Sequence, residues 1–337
     1  MQRKLKIAVI GVGTIGALHA RIINENPNAE LVSIADLNTE LCENISKLYS
    51  CNAYHDYRKM LDKEELDAVD ICVPEEYHVE TAIAVAKAKK DIILEKPIAK
   101  NVVDAIAIKN ACDKNGVRLM IAHVLKFDPR YVQLKDAILR GELGEVSSLS
   151  LKRIAPIDTP KRLNGKVSIF HYMGVHDIEW MLDYAENAKP IKVYAQMVSK
   201  KNVIYNECDT VFAIITFDNG IIGNLELSWA LPENFSVGLV TGVEIIGTKG
   251  SGILEIKGEE LKITSETGLA YSPDTLHWPC YNGNIFGDLK EEINHFILAT
   301  LNKEPYIVDC ERAINAIKVI EACCKSLESG LPQSIKQ

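Results

Sequence analysis

Five short apolar runs punctuate the first 122 residues, and each is followed by a stretch with helical periodicity. The runs are "KIAVIGVG", "ELVSIAD", "AVDICVP", "DIILEKP" and "VRLMIAH". They are nearly continuous in Val, Ile, Leu and Ala, as strands buried on both faces of a parallel sheet must be. Segments such as "TELCENISKLY" and "HVETAIAVAKAKK" supply the crossovers, and the Lys87–Lys90 run is the solvated end of one of them. Strands alternating with helices in this way close only through right-handed crossovers into a doubly wound sheet. The expected fold is therefore α/β, with an N-terminal Rossmann domain over residues 1–122.

After about Ala122 the pattern changes. "DPRYVQLKDAILRGELG" reads as one helix, with Asp128 as N-cap, Pro129 at the first helical position and Gly141 ending it. Longer strand-like runs follow: "EVSSLSLKRIA", "IKVYAQMVS", "DTVFAIITF", "GIIGNLELSWA" and "GVEIIGTKGSGILEI". "DNG" at Asp218–Gly220 signals a hairpin. A closing helix is expected between an N-cap at Asp309 and a C-cap at Gly330. Residues 123–337 thus read as an α+β domain on a large, mostly antiparallel sheet, and a chain of 337 residues is long for one core.

Composition excludes several classes. A net charge of -8 gives no general attraction to nucleic acid or anionic membrane. No apolar run approaches the roughly 18 residues needed to span a bilayer. The basic-then-apolar start, "MQRKLKIAVIGVG", has too short an apolar part for a signal peptide and reads as a strand. Nine cysteines without a C-x-x-C pair suggest a reducing cytoplasm, and ligand spacing for a structural metal is absent.

Two motifs carry chemistry. In "GVGTIG", Gly11, Gly13 and Gly16 follow a strand and open a helix through Thr14 and Ile15, and Asp36 ends the second strand. This is the dinucleotide fingerprint in its context. Gly11 allows the turn, Gly13 lets the backbone approach a pyrophosphate, and Gly16 lets the helix pack on the strand. The Asp36 carboxylate can accept both ribose hydroxyls and would repel a 2′-phosphate, so NAD is expected over NADP. In "ILEKPIAK", Glu95 and Lys96 stand with Pro97 at the carboxyl edge of a strand, where open parallel sheets hold ligands.

These motifs, with "PEEYHVETA", "FDPRY…GELGEV" and "GVHDIEWM" in the same order, resemble the Gfo/Idh/MocA family of glucose–fructose oxidoreductases and inositol dehydrogenases. The resemblance spans nearly the whole chain. It implies NAD(P)-dependent hydride transfer on a sugar, inositol or related polyol, and a C-terminal sheet that serves homodimer or homotetramer contacts. It implies that Lys96 binds the reacting hydroxyl and nicotinamide region, that His176 is the acid–base partner, and that Pro74 and His78 line the cofactor with Glu95.

The stretch "SIFHYMGVHDIEWM" departs from that pattern. Many relatives carry Asp four residues before the histidine, and here Tyr172 stands there. On an α-helix Tyr172 and His176 share one face, which Glu179 continues, with Met173, Asp177 and Trp180 on the adjacent stripe. His176 can be the general base, since a free imidazole titrates near ~6.5. Alternatively, Tyr172 acidified by the Lys96 ammonium carries the proton. His123, Lys126, Arg153, His171 and Trp278 are further candidates for substrate contact, with Arg130 beside them. Two other functions share the resemblance: a glycoside-cleaving enzyme that recycles its NAD, and a non-catalytic dinucleotide- or sugar-binding regulator.

Overall fold

Hydrophobic burial on both faces organises the N-terminal half into alternating strands and helices: β1 (Leu5–Ile10), α1 (Thr14–Glu25), β2 (Ala29–Ala35), α2 (Thr39–Tyr49), β3 (Asn52–Tyr54), α3 (Tyr57–Lys63), β4 (Ala68–Ile71), α4 (His78–Lys87), β5 (Asp91–Glu95), α5 (Val102–Asn115) and β6 (Leu119–Ala122). These are features of a computed structural model that describes all residues except 1–2, 163–166, 202–207, 234, 236–237, 257–260, 262, 265, 267–269, 272, 309 and 337. The six strands form one parallel sheet in the order β3-β2-β1-β4-β5-β6. The order reverses between β1 and β4, and a crevice for ligands opens at the carboxyl ends there. Ile7, Ala8, Val9, Val69, Ile71 and Leu94 are fully buried, as a sheet covered on both sides requires. β3 is an addition to the five strands expected from sequence. Its three residues, "NAY", are too few to show a period and are part-exposed at the sheet edge.

The later elements are α6 (Pro129–Leu139), β7 (Val146–Pro156), α7 (Thr159–Arg162), α8 (Val175–Tyr184), β8 (Pro190–Val198), β9 (Thr210–Phe217), β10 (Ile222–Leu231), β11 (Val240–Gly247), β12 (Ser251–Ile256), β13 (Ile263–Thr264), β14 (Ala270–Tyr271), β15 (Cys280–Tyr281), β16 (Asn284–Ile285), α9 (Asp288–Asn302), α10 (Cys310–Ser329) and β17 (Gln333–Ser334). A seven-stranded sheet runs β12-β11-β7-β10-β9-β8-β17, antiparallel except where β7 meets β10. α8 packs on β7 and β10. The opposite face presents Phe212 and Ile214, 48% and 42% exposed, beside Ile222, Ile246 and Ile253. "DNG" turns β9 into β10, with Gly220 at φ +92°. The run "GVEIIGTKGSGILEI" folds into two strands, β11 and β12, because the chain reverses between Gly247 and Ser251. Asp128 caps α6 by accepting the Arg130 N–H, and Gly330 follows α10 at φ +69°. Asp309, the expected N-cap of α10, lies outside the described residues.

The chain divides into two compact units, the first of which also takes in a later segment of the chain. The first unit comprises residues 1–127 and 276–314, the second 128–275 and 315–337. The physical reason is α9, whose apolar stripe of Leu289, Ile293, Phe296 and Ile297 is buried, with contacts to α1 and β1.

Candidate functional site

Two of the three glycines around the start of α1 are required sterically, and the third faces open space. Gly11 sits at φ +86°, and a Cβ there would lie 2.8 Å from the Cys72 carbonyl carbon. A Cβ on Gly16 would stand 1.9 Å from the Gly11 carbonyl oxygen, so this glycine sets the approach of helix to strand. A Cβ on Gly13 would meet no protein atom within 4 Å, so the space beside it is open. No side chain caps α1 and no acid lies in its first turn. Its first N–H groups therefore face outward with the positive end of the helix dipole, which is what a pyrophosphate needs. Thr14 is exposed and Ile15 half-buried at this edge.

Asp36 follows β2, and its carboxylate is fixed by two main-chain donors. Oδ2 accepts from Val12 N–H and Oδ1 from Asn38 N–H, each at 2.8 Å. Lone pairs remain on both oxygens for ribose hydroxyls. An uncapped helix terminus, an open glycine and an anchored carboxylate fit an adenine dinucleotide. Pro74 is exposed after β4.

His78, expected to line the cofactor, is anchored to the backbone of two loops. The ring is buried, with Nδ1 2.9 Å from the Pro97 carbonyl oxygen and Nε2 2.9 Å from that of Val73. Whichever nitrogen carries the proton donates to its carbonyl, so the imidazole ties the β4 loop to the turn after β5.

Lys96, half-buried, follows β5 next to Glu95, whose Oε2 accepts the Lys96 main-chain N–H at 3.0 Å. His123 follows β6, and β6 pairs with β5 so that Ala122 lies opposite Glu95. Burial, then the Lys126 and Lys96 ammonium groups, push the His123 pKa down to about 3. The ring is therefore neutral at physiological pH. Lys126 is also buried, in the short 3₁₀ turn Val124–Phe127 rather than on the following helix. Two cations and a neutral imidazole thus gather at the sheet's carboxyl edge in the first unit. Trp278 belongs to that unit too and is 39% exposed in the loop before β15.

His171, Tyr172 and His176 lie in the second unit. Their segment is not one α-helix: Phe170–Gly174 is a π-turn, and α8 starts at Val175. The wider turn changes the simple i, i+4 relation of Tyr172 to His176, and such turns recur at functional sites. Gly174 permits it, because a Cβ there would lie 2.7 Å from Leu227 Cδ1 on β10. His176 is half-buried with Nδ1 shielded from solvent. His171 Nδ1 shares a hydrogen bond with the Ser168 hydroxyl at 2.7 Å.

Arg153 of β7 is buried and paired with an acid of α8. It is 5% exposed, and its Nε and one terminal nitrogen donate to the two Asp177 oxygens at 2.7 and 3.0 Å. Asp177, the residue after His176, is itself 1% exposed. The pair pins the start of α8 to β7. Arg130 is likewise held by the Asp128 carboxylate. Sequence reasoning named Asp177 only as part of a stripe. The signal available was an acid on an otherwise apolar helix face, which demands a buried cation.

A parallel Rossmann sheet with an uncapped glycine turn, followed by an α/β domain on an open mixed sheet, defines a two-domain NAD(P)-dependent oxidoreductase. The chain belongs to the Gfo/Idh/MocA oxidoreductase family: residues 5–123 match its NAD-binding Rossmann fold and residues 135–335 its C-terminal alpha/beta domain. It is 26% identical over 344 residues to an uncharacterized oxidoreductase, YrbE, of Bacillus subtilis, covering 100% of this chain and 98% of that one. It is 27% identical over 332 residues to myo-inositol 2-dehydrogenase of Thermotoga maritima, covering 96% of each. The structure of scyllo-inositol dehydrogenase from Lactobacillus casei with NAD(H) and scyllo-inositol superposes with a TM-score of 0.85 over 99% of each chain, and at 19% identity it shows the shared fold. Among the described residues no helix is long and apolar enough to cross a membrane.

Proposed function

We propose that this protein oxidises a secondary hydroxyl of an inositol, sugar or related polyol, transferring hydride to NAD. The observation that carries the reading is Lys96 at the carboxyl edge of the sheet, its main-chain N–H held by Glu95, beside a neutral His123. Myo- and scyllo-inositol dehydrogenases among the relatives favour a cyclitol. NAD, when bound, supplies the hydride acceptor.

Lys96 holds the reacting oxygen and favours its alkoxide character as the hydrogen departs. His176 takes the hydroxyl proton, and Tyr172 is the alternative proton carrier. His123, kept uncharged, offers a hydrogen bond to a polyol hydroxyl without adding a third cation next to Lys96 and Lys126. His171 and Trp278 are further candidates for ring contact. Asp36 favours NAD over NADP because its fixed carboxylate would face a 2′-phosphate. Nine free cysteines support a reducing, cytoplasmic setting. The exposed apolar side chains on the open face of the second sheet support a homodimer or homotetramer.

The test is NADH formation at 340 nm with a panel of inositols, aldoses, aldonates and amino sugars, run in parallel with NADP. Turnover of one ring class with NAD, abolished in Lys96→Ala while NAD binding persists, is the expected result. Silence across the panel in NAD-binding protein would transfer the assignment to NAD-recycling glycoside cleavage or to a regulator.

A further inference from the structure

Asp70 occupies a position that would suit valine. It lies in the middle of β4, opposite Val9 of β1 and Ile93 of β5, and is 0% exposed. A carboxylate there is stable only with close partners. Oδ2 is 2.8 Å from Nδ1 of His19, a fully buried residue of α1, and Oδ1 accepts the Cys72 thiol at 3.2 Å. Nε2 of the same imidazole lies 3.5 Å from Glu95 Oε1, and Glu95 Oε2 accepts the Lys96 N–H. A line of contacts thus runs from β4 through α1 and the end of β5 to the backbone of Lys96, with hydrogen bonds at its two ends and a 3.5 Å ion-pair contact between His19 and Glu95.

His19, Asp70 and Cys72 offer nitrogen, oxygen and sulfur within 4.8 Å of one another, so a metal must be considered. The contacts are those of hydrogen bonds instead. Two ligands each about 2.0–2.1 Å from a tetrahedral ion stand roughly 3.3 Å apart, whereas Nδ1 and Oδ2 are 2.8 Å apart. Burial pushes the Cys72 pKa well up, leaving a thiol that donates.

The charges balance as a proton-bearing network. Burial opposes a proton on His19, but Asp70 and then Glu95 outweigh it and raise its pKa. Burial raises Glu95, and His19 and Lys96 pull it back. Glu292 of α9 reaches the same cluster fully buried, and its two oxygens have no hydrogen-bond partner among the described residues. Burial, then Glu95, Asp288 and Asp70, push it well above the carboxylate range, so it stays uncharged. The His19 ring thus lies between the Asp70 and Glu95 carboxyl groups, and Glu95 in turn adjoins Lys96.

We propose that His19 and Asp70 are positioning residues for Lys96, acting through the Glu95 carboxylate. The inference rests on the reading of Lys96 as the group that holds the reacting oxygen. Without His19, Glu95 has lost its buried counter-ion and takes up a proton. A carboxylic acid accepts the Lys96 N–H less strongly and no longer balances its ammonium, so the aim of the side chain relaxes.

The test compares His19→Gln, Glu95→Gln and the double variant, with Asp70→Asn in reserve should His19→Gln fail to fold by circular dichroism. On the responsive polyol, kcat should fall about 10- to 100-fold in each single variant, since a small misplacement of a reacting group costs that much. The Kd for NAD should stay within about twofold in His19→Gln, and the double variant should be no worse in kcat than the weaker single one, because both break one chain of contacts. Independently of turnover, acylation of Lys96 by an amine reagent, read by mass spectrometry against exposed Lys100, should change at least about threefold. Multiplicative losses in the double variant, or unchanged Lys96 labelling, would overturn the proposal. If the wild type turns over nothing, the functional reading fails, and the labelling still decides the positioning role.

Discussion

Replacing Arg153 with methionine removes the cation from a pair whose side chains are only 6% and 1% exposed. Methionine fills much of the volume of the arginine stem, so the main loss is electrostatic. Asp177 is then a buried carboxylate without its two donors at 2.7 and 3.0 Å. Breaking a buried pair by removing one partner costs about 3–5 kcal/mol. With a urea slope of about 2 kcal/mol per molar, the unfolding midpoint of the second unit should fall by about 2 M. The chain has three tryptophans, and Trp180 and Trp229 both report on that unit. Trp180 stacks on Tyr184 with ring centroids 5.0 Å apart, so its fluorescence follows the packing of α8. Urea titration in a Trp278→Phe background isolates this signal. Adding Asp177→Leu to Arg153→Met should restore more than half of the loss, because no charge is then stranded. The gap to wild type should also narrow on acidification, as the stranded carboxylate takes a proton that its unfolded counterpart takes only at lower pH. A loss below about 1 kcal/mol, or a double variant as unstable as the sum of the singles, would refute the reasoning.

The glycines of the α1 turn should separate cleanly. Gly13→Ala adds a Cβ that meets no protein atom within 4 Å and should leave thermal stability unchanged while weakening NADH binding about tenfold or more in fluorescence titration; Gly16→Ala, aimed at a main-chain oxygen 1.9 Å away, should lower both. His123 supplies a pH signature. Its folded pKa near about 3 lies below the unfolded value, so the unfolded chain binds the proton first and stability is lost as pH falls through the interval between them. From about pH 7 to about pH 5 the wild type should lose about 2 kcal/mol more than His123→Leu, at about 1.4 kcal/mol per pH unit below 6.5, in paired urea titrations. Equal losses would show that His123 is protonated or solvated.

The dinucleotide turn was legible in the sequence because its constraint is steric and local. Gly11, Gly13, Gly16 and Asp36 follow from what a Cβ would strike and where a strand ends. The parallel sheet was legible from unbroken apolar runs, whereas β3 was not, since three half-exposed residues carry no period. What escaped was everything set by distant pairing. Arg153 and Asp177 are 24 residues apart, and nothing local in "LKRIAP" says that the guanidinium turns inward. His19 and Asp70 are 51 apart, although an acid inside "AVDICVP" was a visible clue that a counter-group must exist. The π-turn at Phe170–Gly174 reads as ordinary helix, because no local residue pattern in the stretch distinguishes the two, and the approach of Leu227 to Gly174 comes from a distant strand.

The return of residues 276–314 to the first unit has a bearing on how the protein is made. A ribosome releases β1 to β6 early, but α9, whose Ile293 and Phe296 are buried in that same unit, emerges only after residues 128–275 of the second unit. At roughly 5–20 residues per second, the nascent nucleotide-binding half waits on the order of 10–40 s for its missing helix while six strands of the second sheet are translated. During that interval its Asp70–His19 network lacks Glu292 as a cover, and its apolar flank is available to chaperones. A gene truncated after Phe127 should therefore yield an aggregating fragment, and a self-sufficient nucleotide-binding module would have to be built by splicing residues 276–314 directly onto it.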